Sequence, residues 1–336
     1  MPCSPPSEQA LPTVADIEDA ARLLDGVVVE TPLLESSLLN QRLGGRVLLK
    51  AECLQLTGSF KVRGASNRIR RLSAAERGRG VVAFSSGNHA QGVAYAAREA
   101  GAPATIVMPA DAPAIKRANT QAYGAELRLY DRFSEDRQAI AEAIAAERGA
   151  TLVPPYDDPH IIAGQGTVGL EIDRQLAARG IEADQLLCCC GGGGLIAGLS
   201  LALAERRPGL PVYACEPEGF DDTKRSLESG ERCQVDPKAR SVCDALLSKE
   251  PGDLTFAINR RTLAGGLSAS DDEARGAMRA AFEMLKVVVE PGGAIALACL
   301  LAGRIEARGR TSVVVLTGGN TDPAFFSEVL AEGDAA

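Results

Sequence analysis

The sequence predicts an α/β protein whose parallel sheets are flanked by helices. Two observations support that expectation. Short β-branched or apolar runs alternate with alanine-rich helical stretches, and most of the runs are followed by Gly, Ser, Asn or Pro before the next helix. Such alternation marks βαβ units, because a parallel sheet must cover both faces with helices. Binding sites in such sheets form beyond the carboxyl ends of the strands. A length of 336 residues allows one large core or two domains.

In chain order the strand candidates are Val81–Phe84, Ala104–Met108, Glu126–Tyr130, Thr151–Val153, Gln185–Cys190, Pro211–Cys215 and Ser312–Thr317. One helix reads closely: Ser134 as N-cap, Glu135 and Asp136 in the first turn, Ile140 and Ile144 on one face, and Arg148-Gly149 closing it. No repeat or low-complexity tract interrupts the pattern. Only Pro2–Ser7 and Glu332–Ala336 have the composition of disordered tips.

Composition removes several functional classes. The chain carries 36 basic and 44 acidic side chains, a net charge of −8, whereas a nucleic-acid surface needs a basic stripe. His89 and His160 are the only histidines, which excludes a His-rich metal site. Residues 1–11 lack a basic n-region and an apolar h-region, so no secretory signal is expected. The nine cysteines show no small-domain spacing and are expected as reduced thiols of a cytoplasmic protein. Cys188, Cys189 and Cys190 fall on one strand, where neighbours point to opposite faces and cannot share a metal; they are expected as small buried hydrophobes. Gln185–Ala204 is uncharged and long enough to span a bilayer. Its four successive glycines, each weakening a helix by about 1 kcal/mol, argue against a membrane helix.

Glycine is in excess, 35 residues of 336 against a usual ~7%. Four glycine- or serine-rich segments sit where strands should end. Thr57-Gly58-Ser59-Phe60-Lys61-Val62-Arg63-Gly64-Ala65 sets a lysine beside an aromatic, between two glycines; alone it reads as a surface lysine at a helix start. Ser85-Ser86-Gly87-Asn88-His89-Ala90-Gln91-Gly92 follows the strand Val81–Phe84. Its hydroxyls, amide and free N–H groups suit an anion, or equally a plain N-cap. Gly191-Gly192-Gly193-Gly194-Leu195-Ile196-Ala197-Gly198 lies between a buried strand and a helix. A simple turn needs one or two glycines; four make sense where several N–H groups converge on a phosphate that no side chain may crowd. Leu316-Thr317-Gly318-Gly319-Asn320 puts a hydroxyl at a strand end, as a cap or turn also would. A competing reading takes Gly192-x-Gly194-x-x-Ala197 as a dinucleotide fingerprint with Glu216 as the ribose-binding acid. It leaves Lys61 and the Ser85–Gly92 loop without work.

Together, and in this order, the segments resemble the fold-type II pyridoxal-phosphate enzymes (tryptophan synthase beta-like), specifically the serine/threonine dehydratase and serine racemase family. Ala163-Gly164-Gln165-Gly166-Thr167 and Glu290-Pro291-Gly292-Gly293 add to the match, which runs from Ser59 to Asn320. The resemblance implies that Lys61 holds pyridoxal 5′-phosphate as a Schiff base and, once freed, acts as base on the Cα proton. Both tasks suit a desolvated lysine of lowered pKa. Phe60 would pack beside the ring and Asn88 would hydrogen-bond its 3′-oxygen. The backbone of Gly191, Gly192, Gly193 and Gly194, with the Leu195 N–H, would bind the phosphate. Thr317 would face the pyridine nitrogen; a hydroxyl there makes the ring a weaker electron sink than an Asp partner does, which favours elimination over transamination. Ser85, Asn88 and His89 would dock the substrate carboxylate, and Ser86 would stand on the face opposite the lysine.

In the racemase branch, the pattern of Glu216, the Phe220 carbonyl and Asp222 binds Mg²⁺ or Ca²⁺, ions that favour hard oxygen ligands. Arg137 and Ser248 match positions near the substrate side chain, which points to acidic substrates such as 3-hydroxyaspartate. The implied activity is dehydration of a small β-hydroxy amino acid, L-threonine or L-serine, to a 2-oxo acid and ammonia. Serine racemisation, or dehydration of another β-hydroxy amino acid, uses the same residues. The resemblance further implies a large domain from 1–80 and 157–336, a small mobile domain at 81–156, and a homodimer. Long feedback-regulated threonine dehydratases fit less well, since no regulatory domain is expected after Asn320. An NAD-binding oxidoreductase and a non-catalytic pyridoxal-phosphate-binding protein are the remaining alternatives.

Overall fold

A computed structural model of the chain describes residues 10–85, 87–112, 114–131 and 134–333. The chain opens with α1 (Val14–Leu24), β1 (Leu33–Glu35), α2 (Ser37–Leu43) and β2 (Arg46–Ala51). Two 3-10 turns then lead into α3 (Lys61–Arg70) and α4 (Ala74–Arg79). The middle of the chain forms β3 (Val81–Phe84), α5 (Asn88–Glu99), β4 (Ala104–Pro109), α6 (Ala114–Ala122), β5 (Glu126–Tyr130), α7 (Arg137–Arg148) and β6 (Thr151–Leu152). It is followed by α8 (Pro159–Ala178), β7 (Gln185–Cys189), α9 (Gly194–Arg206), β8 (Val212–Pro217), α10 (Asp222–Ser229) and α11 (Asp253–Thr262). The last elements are β9 (Gly265–Ala269), α12 (Asp271–Ala280), α13 (Pro291–Leu301), β10 (Thr311–Leu316) and α14 (Pro323–Ala331).

Two sheets result. One has four parallel strands in the order β5-β4-β3-β6; the other has six, β1-β2-β10-β7-β8-β9. All pairs in the larger sheet are parallel except the β1–β2 edge. The apolar strands fit burial on both faces: every residue of β3 and β4 is buried. In β7 the period of two splits the core. Leu187 and Cys189 pack with the α13 side, Leu186 and Cys188 with residues of α8 and α9. Cys188, Cys189 and Cys190 are all buried free thiols, as expected of small hydrophobes.

All seven expected strands are present, with ends shifted by at most two residues. β1, β2 and β9 were not anticipated. β2 hides Lys50 in its interior, and β9 begins with two glycines, so neither reads as an apolar strand. The N-cap of α7 is Asp136, not Ser134. Asp136 Oδ1 accepts from the N–H groups of Gln138 (2.8 Å) and Ala139 (3.3 Å), while Ser134 donates to Asp131. Glu135 and Asp136 therefore precede the helix, and Gly149 closes it with φ +62°. At the C-terminal end, Glu332 caps α14 and pairs with Arg275 and Arg279, so it is not part of a loose tip. Pro2–Ser7 and residues 334–336 lie outside the described residues.

A buried ionic network ties α3 to the larger sheet and to α8. Arg63 bonds Glu52 (2.8 Å) and Glu171 (2.6 Å), Lys50 bonds Glu171 (2.6 Å), and Thr31 donates to Glu52 (2.5 Å). Lys50, Glu52 and Arg63 are fully buried. Charges so desolvated are tolerated only when fully paired, so the network fixes the helix that begins at Lys61. Among the described residues no helix is long and apolar enough to cross a membrane.

Candidate active site

One pocket gathers most of the residues singled out above. Phe60, Lys61, Ser85, Asn88, His89, Arg137, Gly191 to Gly194, Leu195, Ser248 and Thr317 all line it. Ser85 follows β3, the glycine run follows β7 and Thr317 follows β10, so the site lies at carboxyl ends of strands from both sheets. Phe60 and Lys61 are delivered instead by the 3-10 turns, and Ser248 by the loop between α10 and α11. Ser86 lies outside the described residues.

Lys61 opens α3 and is half-buried. Its Nζ donates to the Pro155 carbonyl at 2.7 Å and lies 5.1 Å from the Phe60 ring centroid. Burial pulls its pKa down to about 8, with the Cys189 thiol opposing slightly. The loop before it is pinned to the end of β10: Phe60 N–H donates to Thr317 O (3.2 Å), Gly319 N–H donates to Gly58 O (2.9 Å), and Ser59 bridges Gly318.

Asn88 and His89 begin α5. The Nε2 of His89 lies 2.9 Å from Val153 O, so Nε2 carries the hydrogen and Nδ1 is left buried without a partner. Burial first, and then the charge of Lys61, pushes this imidazole down to about 3. It is therefore a neutral acceptor. Asn88 donates through Nδ2 to Glu290 and accepts at Oδ1 from Asn320 at 2.8 Å. Thr317 Oγ1 lies 3.0 Å from Cys189 Sγ.

The glycine run forms a cradle that side chains would fill. A Cβ at Gly192 would overlap the Tyr156 ring, one at Gly194 would stand 3.0 Å from Tyr156 Cα, and one at Gly193 would stand 2.9 Å from Asn259 Nδ2. Gly193 also has φ +92°, a conformation that glycine adopts freely. Among the described residues the N–H groups of Gly191, Gly192 and Gly193 donate to no backbone or side-chain acceptor. With the free first-turn N–H groups of α9 they make an anion site that fits a phosphate. The Asn259 carboxamide is likewise buried without a partner at this cradle.

Arg137 and Ser248 both line the pocket. The Arg137 guanidinium stacks 5.5 Å from the Phe84 ring centroid, and the Tyr156 phenol, near Ser248, has its pKa raised chiefly by burial. Tyr156, Pro155, Lys116 and Asp244 also line the pocket and were missed. Pro154-Pro155-Tyr156 directly follows an expected strand, which was the available signal. Lys116 and Asp244, an ion pair at 3.1 Å, carried none.

Glu216, Phe220 and Asp222 lie off the pocket lining. Both Glu216 oxygens accept from N–H groups of the α10 start, Thr223 (2.9 Å) and Lys224 (2.8 Å). One Asp222 oxygen is buried with no partner. Burial, and then Asp222, drives the Glu216 carboxyl well above the usual range, and burial raises Asp222 to about 7. Two crowded carboxyls and an orphaned oxygen fit a cation. Among the described residues no set of three or more His, Cys, Asp or Glu side chains could hold one, so a carbonyl such as that of Phe220 would be needed. Because Glu216 lies off the pocket that holds the glycine cradle, the dinucleotide reading loses its ribose acid.

Residues 24–318 match the family described as pyridoxal-phosphate dependent enzyme. The chain belongs to that family. Pyridoxal phosphate is its cofactor, and the cradle and Lys61 fit it. Similar pyridoxal-phosphate dependent enzymes include the L-threo-3-hydroxyaspartate ammonia-lyase of Saccharomyces cerevisiae, 40% identical over 96% of this chain and 97% of that one. The L-threonine ammonia-lyase of Thermotoga maritima is 40% identical over 96% of this chain and 79% of its own length. Among solved structures, maize serine racemase superposes with a TM-score of 0.90 at 34% identity, covering 96% of this chain and 98% of that one.

Proposed function

We propose that this enzyme is an ammonia-lyase for β-hydroxy amino acids with an acidic side chain, such as 3-hydroxyaspartate, releasing a 2-oxo acid and ammonia. The observation that carries the substrate class is Arg137, a guanidinium among the residues that line the pocket. A forked cation of this kind matches a carboxylate. The name of the yeast relative supports the same reading. L-threonine or L-serine dehydration is the second reading, supported by the equally similar Thermotoga relative. Racemisation would depend on Ser86.

When bound, pyridoxal phosphate supplies the electron sink that lets a bond at Cα break. Gly191 to Gly194 and Leu195 would hold its phosphate through N–H groups, Lys61 would hold it covalently, and Phe60 would pack against it. Asn88 would donate to its 3′-oxygen, and Thr317 would meet its ring nitrogen. Ser85, Asn88 and His89 would dock the substrate carboxylate, His89 through its free first-turn N–H, since its neutral imidazole offers only an acceptor. The Lys61 amine would take the Cα proton, with the Pro155 carbonyl as the neighbouring acceptor that orients it. Closure of the small unit (81–156) over the pocket would exclude water. Asp222, Glu216 and the Phe220 carbonyl would hold Mg²⁺ or Ca²⁺. A homodimer is the assembly expected in solution. A cytoplasmic setting accords with the eight described cysteines, all free.

The test is a turnover screen over both 3-hydroxyaspartate diastereomers, threonine and serine, read by 2-oxo acid release. 3-Hydroxyaspartate should be the best substrate, and Arg137→Met should cut its kcat/KM by about 10- to 100-fold while changing serine turnover little. Equal losses on serine and 3-hydroxyaspartate would remove Arg137 from side-chain recognition.

A further inference from the structure

Asn320 ends the fourth glycine-rich segment, and nothing above gives it work. Its carboxamide stands where three segments meet. One Nδ2 hydrogen goes to the Thr57 carbonyl at 2.8 Å, and the other goes to Asn88 Oδ1 at 2.8 Å. Thr57 holds φ +64°, a left-handed conformation unusual for a β-branched residue, in the turn that delivers Lys61. The next residue, Gly58, has no space for a side chain, since a Cβ there would stand 2.7 Å from Asn320 Oδ1.

The direction of these bonds is unambiguous. A backbone carbonyl can only accept, so Asn320 must turn its NH2 toward Thr57. Its second hydrogen must then find an acceptor, and Asn88 must answer with Oδ1. That leaves the Asn88 NH2 on the other side, with one hydrogen toward the buried carboxyl of Glu290 and the other free to serve the pocket that Asn88 lines. We infer that Asn320 is a positioning residue that fixes the orientation of the Asn88 carboxamide, so that Asn88 presents a donor and not an acceptor to the oxygen of the cofactor. This inference rests on the reading that Asn88 meets the cofactor 3′-oxygen.

The experiment uses Asn320→Asp and Asn320→Ala, each in the parent and in an Asn88→Ala background. The readouts are pyridoxal-phosphate affinity of the apoprotein and the visible spectrum of the loaded protein. Aspartate is nearly isosteric but accepts only, so it would turn the Asn88 carboxamide round. If Asn320 were merely a filler, Asp would be milder than Ala. Instead Asn320→Asp should bind the cofactor about 10-fold more weakly than Asn320→Ala and displace its absorption band. The gap should vanish when Asn88 is alanine. A gap that survives in that background would mean that the effect runs through Thr57, and Asp equal to Ala would also overturn the inference. Should Asn320→Asp not fold, Asn88→Asp keeps an acceptor toward Asn320 but offers the pocket no donor, and must displace the band likewise. If Asn88→Ala alone changed neither affinity nor spectrum, Asn88 would not meet the cofactor, and the reading beneath the inference would fall with it.

Discussion

The Nζ of Lys61 is 2.7 Å from the carbonyl oxygen of Pro155, a neutral acceptor that binds a hydrogen without compensating a charge. Burial therefore prevails, and the amine titrates near about 8 instead of in the ordinary lysine range. Only the free amine attacks an aldehyde. The rate at which apoprotein takes up pyridoxal phosphate should accordingly rise about tenfold per pH unit below this value and level off above it. Stopped-flow absorbance across pH 6 to 10 checks the profile. A continued rise toward the usual lysine range would contradict it.

The ionic network behind α3 makes a stability prediction. Removing Arg63 leaves Glu52 and Glu171 with Lys50 as their one remaining cation in the network. Arg63→Met should cost about 3–5 kcal/mol, the range for breaking a buried pair, read from urea unfolding of the apoprotein. A loss below about 1 kcal/mol would mean that water reaches these carboxylates.

The cradle makes a prediction with an internal control. Gly192→Ala drives a methyl group into the Tyr156 ring, so cofactor affinity should fall by about tenfold or more, as crowding of a well-packed site typically costs 1–3 kcal/mol. Tyr156→Ala in the same chain should restore most of that loss. Absence of rescue would place the glycine requirement in the backbone and not in the ring.

Acid stability should depend on His89. In the folded chain the imidazole is neutral down to about 3, whereas an unfolded histidine takes its proton near the ordinary value of about 6.5. The unfolded state thus binds more protons across that window, and stability falls as pH drops through it. His89→Gln should remove this contribution, so the stability difference between pH 7 and pH 5 shrinks by about 1–2 kcal/mol. Denaturant titrations at the two pH values measure it. An unchanged difference would show that the imidazole is already exposed.

The sheets were legible where a strand was apolar throughout, as with Val81–Phe84, because burial on both faces leaves a continuous run, and where apolar and charged residues alternate, as in the edge strand Glu126–Tyr130. β2 was hidden by Lys50, whose charge is answered by Glu171, more than a hundred residues away, a pairing that no local pattern contains. The site was legible where chemistry is carried by consecutive residues, as in the glycine run and the Phe60-Lys61 pair. Tyr156, Lys116 and Asp244 reach the pocket from single positions on separate loops, and only the tertiary arrangement selects them. The start of α7 was misread by two residues because Ser134 and Asp136 are both good caps, and the winner is decided by which side-chain oxygen reaches two N–H groups at once.

β10 enters the larger sheet between β2 and β7 and is followed at once by Thr317 and Asn320, the latter bonding a residue 263 positions earlier. A growing chain must therefore wait for one of its last strands before the sheet can close. Until then β2 and β7 present bare edges to solvent, the kind of edge that recruits other chains. The pocket cannot be built in instalments during synthesis. The long interval before closure is when this chain is most exposed to aggregation, and a polypeptide stopped short of β10 should neither capture the cofactor nor stay dispersed.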